Sequence, residues 1–221
     1  CTFATTATVG STYTLTASVL SQSDVSCNGG ADGTVTVTST GGLAPFQFSI
    51  DAGLNWQTDS AFTGLSGGVY TIIVKDANGC TDNVSATIIE KPQLVIVADS
   101  ILSSNCFTSA DGAVYIHAEG GTPAYTYAWS NSTSNQNLTG VANGSYTVVV
   151  TDARTCTAQA TYTVTSPTKL ISAIAGNDPD CNDNATGFAV VTAGGGTMPY
   201  RYNWNTTPAQ SGIMAVKLKG G

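Results

Sequence analysis

The sequence predicts an all-β chain built from small sandwiches in tandem, and three observations predict it. The first is a stretch that occurs three times: GGLAPFQFSI (41–50), GGTPAYTYAW (120–129) and GGTMPYRYNW (195–204). In each copy a Gly pair and a Pro make a bend, after which bulky side chains fall on every second position: Phe46, Phe48, Ile50; Tyr125, Tyr127, Trp129; Tyr200, Tyr202, Trp204. Period two marks a strand with one buried face, and the polar residues between, such as Gln47 and Ser49, are expected to meet water. The second observation is composition. Charged residues make up only 10%, and Thr and Val, which favour strands, accompany Gly and Asn, which favour tight turns. The third is the fixed spacing of the copies, which divides the 221 residues into several small domains. Units of roughly 75 to 79 residues with about seven short strands correspond to an immunoglobulin-like sandwich, and tandem units with almost no linker are expected to form an extended rod.

In chain order, residues 1–12 read as the last strand of a preceding repeat, because CTFATTATVG matches CTDNVSATII after Cys80 and CTAQATYTVT after Cys156. The first full repeat is expected at 13–91. It holds an opening strand near Leu15, the Gly-rich turn CNGGADG (27–33), the strand TVTVT with Val35 and Val37 inward, the Phe46 strand, and a variable stretch containing Trp56. The segment GLSGGVYTIIVKDANGC (64–80) follows, with Tyr70, Ile72 and Val74 inward. Asn78-Gly79 is a two-residue hairpin signal. The second repeat, 92–167, repeats this order, but Ala153-Arg154-Thr155 replaces the Asn-Gly turn, so that hairpin is expected to be built differently. The third, 168–221, keeps CNDNATG, FAVVTAGGG and the Tyr200 strand and is a truncated repeat.

A net charge of -7 argues against nucleic acid, since a phosphate backbone calls for clustered Lys and Arg. No 18-residue apolar run spans a membrane. His117, the only His, lies out of phase with inward Val114 and Ile116, which leaves no credible Ser-His-Asp or Cys-His arrangement. The expectation is a non-enzymatic chain. Acidic loop residues are the other candidates for chemistry. Calcium needs six to eight oxygens, and Asp178, Asp180 and Asp183 are the cluster most able to offer them, although their spacing matches no defined calcium loop. In turns, Asp more often accepts hydrogen bonds from nearby backbone N–H groups, the reading given to Asp32, Asp76, Asp111 and Asp152. No other cofactor is expected.

Six Cys at recurring positions, with no CxxC pair, point to disulfides and an oxidising compartment in preference to zinc. Two pairings stand open. One is within each repeat, Cys27 to Cys80 and Cys106 to Cys156, leaving Cys1 and Cys181 to partners outside the fragment. The other follows from topology: Cys27 and Cys80 lie at opposite poles of a sandwich, roughly 20 Å apart, whereas disulfide Cα atoms lie within about 7 Å. Abutting poles of successive repeats would instead bring Cys27 to Cys156.

The recurring frame resembles the SprB repeat. It comprises CNGGADG or CFTSADG, a strand, the Gly-Gly-x-x-Pro-Tyr-x-Tyr-x-Trp stretch, a variable loop, and Gly-x-Tyr-x-Val-x-Val-x-Asp-x-x-x-Cys. The third copy departs from it with Asn184-Ala185-Thr186-Gly187 in place of Asp-Gly, and the first has Ile50 for Trp. The resemblance implies a segment of a large exported cell-surface adhesin of gliding Bacteroidota. It implies export by the type 9 secretion system, an extracellular position attached to the outer membrane, and partnership with neighbouring repeats and the surface-anchoring machinery. Under it, Ser60 in Asp59-Ser60-Ala61 and Ser100 in Asp99-Ser100-Ile101 become candidate O-glycosylation sites. The function expected is a non-catalytic stalk. The alternative is a carbohydrate-binding or spacer module of a secreted polysaccharide-degrading enzyme, in which Trp56, outside the inward alternation, is the candidate contact to surface polysaccharide.

Overall fold

A computed structural model describes residues 14–179 and 185–219, and among these every regular element is a strand. The first repeat contains β1 (Thr16–Ser23), β2 (Gly33–Thr40), β3 (Gln47–Ser49), β4 (Ala61–Leu65), β5 (Gly68–Lys75) and β6 (Thr81–Ile88). The second contains β7 (Val95–Leu102), β8 (Gly112–Glu119), β9 (Thr126–Trp129), β10 (Leu138–Val141), β11 (Gly144–Thr151) and β12 (Thr157–Val164). The third contributes β13 (Ile171–Asn177), β14 (Gly187–Gly194), β15 (Asn203–Trp204), β16 (Gln210–Ser211) and β17 (Met214–Leu218). The proposed strand at 1–12 lies outside the described residues.

Six strands form in each full repeat where about seven were expected. They make two three-stranded sheets, β1-β2-β4 with β3-β5-β6, and β7-β8-β10 with β9-β11-β12. In the variable stretch of the first repeat Asp51 holds a tight turn, accepting from the backbone and side-chain amides of Asn55 and from the Ser49 hydroxyl. These donors, the Asn55 backbone first, bring its carboxyl down to about 2.

The alternation places the core as expected. Val35, Ile72 and Val74 are fully buried, and Val37, Phe48, Ala86 and Ile88 nearly so, so the two sheets of the first repeat close on one another. Each of these Val, Ile and Phe side chains contributes about 1.5–3 kcal/mol by leaving water. Tyr70 sits at the margin, half-buried, its hydroxyl donating to the Ser66 carbonyl. Ser49 departs from the pattern. It is buried, because its hydroxyl serves the loop, accepting from Gly53 N–H at 2.9 Å and donating to Asp51. In the second repeat Val114, Ile116, Val148, Val150 and Trp129 fill the equivalent space.

The chain forms two compact units. One comprises Cys1–Val95 with Glu119–Tyr125 and Thr151–Thr157; the other comprises Ile96–Ala118, Thr126–Val150 and Ala158–Gly221. The first unit therefore joins the first repeat to two loops that belong, by sequence, to the second.

Candidate functional site

The site of interest lies in the first unit, where two loops built on carboxylates meet at a covalent bond. Cys27 sits in a turn closed by Gly30 N–H donating to the Cys27 carbonyl at 3.0 Å and by Ser26 N–H donating to Asp32 at 2.9 Å. The Ser26 side chain and then its backbone hold the Asp32 carboxyl below its ordinary value. The turn is anchored on the end of the same repeat, since Asn28 donates to the Lys91 carbonyl and Ile89 N–H donates to Asp24, both at 2.9 Å.

Cys156 sits in the loop between β11 and β12. Asp152, buried to 5% exposure, organises that loop by accepting from the N–H groups of Thr122 (2.8 Å), Arg154 (2.8 Å) and Cys156 (2.9 Å). Burial acts to raise the Asp152 carboxyl, and the N–H donors of Thr122, Cys156 and Arg154 outweigh it, so the group sits below its ordinary value of 3.8. Gly121 permits this approach: a Cβ there would stand 2.7 Å from the Asp152 carboxylate. Asp76 does the same between β5 and β6, accepting from Leu43, Asn78 and Cys80 at 3.1, 2.9 and 2.9 Å.

These two hairpins correct the expectation that they differ. Neither is a two-residue turn. In both, the Asp N–H donates to the Cys carbonyl four residues on, at 3.0 Å. The left-handed position is filled by Gly79 (φ +84°) in one and by Thr155 (φ +67°) in the other. The Asp and the Cys carry the geometry, and the intervening residues adapt.

Cys27 and Cys156 are joined in a disulfide with Cα atoms 5.7 Å apart. The within-repeat alternative, Cys27 to Cys80 and Cys106 to Cys156, does not form: Cys80 and Cys106 are exposed free thiols. The reason is topological, because each repeat carries its two cysteines on turns at opposite ends of its strands. Cys1 and Cys181 lie outside the described residues.

Of the other sequence candidates, Trp56 is half-buried, with the Lys75 ammonium 3.9 Å over its ring centroid and Gly53 close against its edge. A cation therefore already covers one ring face. Ser100 is exposed on β7 and Ser60 is half-buried before β4, where its carbonyl accepts from Val37 N–H at 3.0 Å. His117 Nδ1 lies 2.7 Å from Asp99 on the surface. Asp178 is exposed; Asp180 and Asp183 lie outside the described residues, and among those described no three His, Cys, Asp or Glu side chains gather to hold a metal. By sequence Asp76 and Asp152 stand only among the loop acids. Their common place two residues after an inward Val (Val74, Val150) and four residues before Cys is the signal that singles them out.

Residues 19–55, 99–134 and 175–208 each match the SprB repeat. The chain carries three SprB repeats. The matched segments cover the opening strand, the cysteine turn and the Gly-Gly-Pro stretch, whereas the Asp-anchored hairpins fall outside them. No curated protein matches the chain. Among solved structures, it is similar to three N-terminal domains of the highly immunogenic outer capsid protein of bacteriophage RB49, with 16% identity and a TM-score of 0.46, covering 86% of this chain and 75% of that one. It is also similar to three immunoglobulin domains of titin, with 12% identity and a TM-score of 0.44, covering 96% and 83%. A third similarity is to domains 1–6 of the surface layer protein SbsC, with 14% identity and a TM-score of 0.32, covering 94% and 41%.

Proposed function

We propose that these SprB repeats are a non-catalytic stalk segment of an exported cell-surface adhesin or filament, carried out by the type 9 system and serving surface attachment or gliding. The observation that carries this reading is the Cys27–Cys156 bond, which ties the exit loop of one repeat to the entry turn of the repeat before it. Bonding successive repeats serves resistance to bending and to pulling, and a chain that only presented a ligand site would gain little from it. Among the described residues the buried carboxylates support this too, since Asp76 and Asp152 are spent on backbone N–H groups of their own loops and of the neighbouring Gly-Gly loops.

The reading is tested on source cells. Antibodies raised against the chain should label intact cells and should detect, after surface shaving, a polypeptide of several hundred kilodaltons whose gel mobility changes on reduction. A polypeptide well under a hundred kilodaltons, or a label confined to the cell interior, would sink it.

A further inference from the structure

The β13-β14-β17 sheet of the third repeat is apolar on the face turned away from its core. Ile174 and Val191 point inward and Ala215 is fully buried. By alternation, Ala173 and Ala175 on β13, Phe188 and Val190 on β14, and Met214 and Val216 on β17 point outward. Register sets them side by side. Ala175 pairs with Val190 and Val190 with Met214, while Phe188 pairs with Val216. Phe188, Met214 and Val216 are 39%, 45% and 43% exposed.

The repeat frame does not require this. At the places of Phe188, Val190 and Val216 the first repeat has Thr34, Thr36 and Thr63. Its outer face is lined by hydroxyls, with those of Ser23 and Thr34 hydrogen-bonded at 2.7 Å. A face that faces water in one repeat has therefore been made apolar in another, as an interaction surface is.

We propose that this outer face pairs with the same face of a second copy of the chain across a two-fold axis. Charge favours that occupant. Residues 168–221 carry four basic and three acidic side chains, whereas 1–167 carry three and eleven, so the third repeat meets its copy with the least like-charge repulsion. Shape favours it too, because the small side chains stand on one edge strand, β13, and the large ones on the other, β17. A two-fold axis along β14 lays β13 of each copy on β17 of the other. Met214 then fits over Ala175 of the partner subunit, with the sheets packed in the aligned manner of a sandwich. Three strands of about seven residues give a face of roughly 300–400 Å², below the about 800 Å² per partner of a standard interface. The pairing is therefore weak and reversible, and it holds whether or not the protein is a stalk.

Sedimentation equilibrium of the chain, with its free thiols alkylated so that no interchain disulfide contributes, should show a reversible monomer–dimer equilibrium. The triple change F188T, V190T and V216T, which gives this face a hydroxyl lining like that of the first repeat, should raise the dissociation constant at least tenfold. The pair L170T and I174T alters the inner face, where these side chains are 58% and 67% exposed, and should leave the constant within twofold. Ala175→Met alone should raise it at least tenfold, and adding Met214→Ala should restore it to within threefold, because the large and small side chains then exchange places. A chain that stays monomeric up to about 1 mM, a weak affinity of about 4 kcal/mol, would overturn the proposal. So would dimers lost in the inner-face variant and kept in the outer one, or a failed restoration. Trp204 emission reports whether the third repeat stays folded, and if the triple change unfolds it the Ala175 and Met214 exchange decides.

Discussion

The Cα atoms of Cys27 and Cys156 lie 5.7 Å apart across 129 residues of sequence. Closing a loop of that length removes chain entropy from the unfolded state, an upper estimate of about 4–5 kcal/mol. Reductant, or the double change C27S and C156S, should lower the thermal midpoint of the first unit by up to roughly 20 °C. Calorimetry with and without reductant measures this, and an unchanged midpoint would show that the bond is idle.

Asp152→Ala should cost about 2–4 kcal/mol in denaturant unfolding, because it leaves the N–H groups of Thr122, Arg154 and Cys156 without their acceptor. Retained stability would mean that water replaces the carboxylate without loss.

Acid should act through the same group. The folded Asp152 carboxyl lies below its ordinary value of 3.8, so its contribution is complete above that pH and is lost as pH falls through the lowered folded value. Midpoints measured from pH 7 down to pH 2 should decline below about 3.8, and Asp152→Asn should flatten that decline while being less stable at pH 7. A parallel decline in both proteins would assign the acid sensitivity elsewhere.

Thr155 holds φ at +67°, a conformation that a β-branched residue adopts only under strain. Thr155→Gly should therefore stabilise the loop by about 1 kcal/mol. The reciprocal Gly79→Thr should destabilise its loop by a similar amount, read from the shift of denaturant midpoints.

Gly120→Ala should be among the most damaging single changes, at about 3 kcal/mol or more, because a Cβ there would overlap the Gln93 carbonyl and only a backbone shift relieves it. The same overlap faces Gly41 with the Thr14 carbonyl and Gly195 with that of Lys169. Limited proteolysis at 92–95 would register the loosening.

Much of this was legible in advance because strand patterning is local. Val35 and Val37, Ile72 and Val74, and Trp129 are buried where a period of two puts them. Ser49 was misjudged because its hydroxyl answers a loop amide, and a burial pattern contains no record of hydrogen-bond partners. The Ala153-Arg154-Thr155 turn was misjudged because turn propensity weighs the residues at the tip, while Asp152 and Cys156 at the base hold the geometry.

By itself the sequence determined the all-β class, the repeat and its frame, and the inward face of the strands with a clear alternation, such as those of Val35, Ile72 and Trp129. These follow from side-chain alternation and turn chemistry within a few residues. Only the tertiary structure decided which cysteines meet, and that Asp152 sits against Gly121 and Thr122. Those facts depend on where the ends of strands remote in sequence arrive, and a disulfide or a buried carboxylate forms only when two such ends come within a few ångströms.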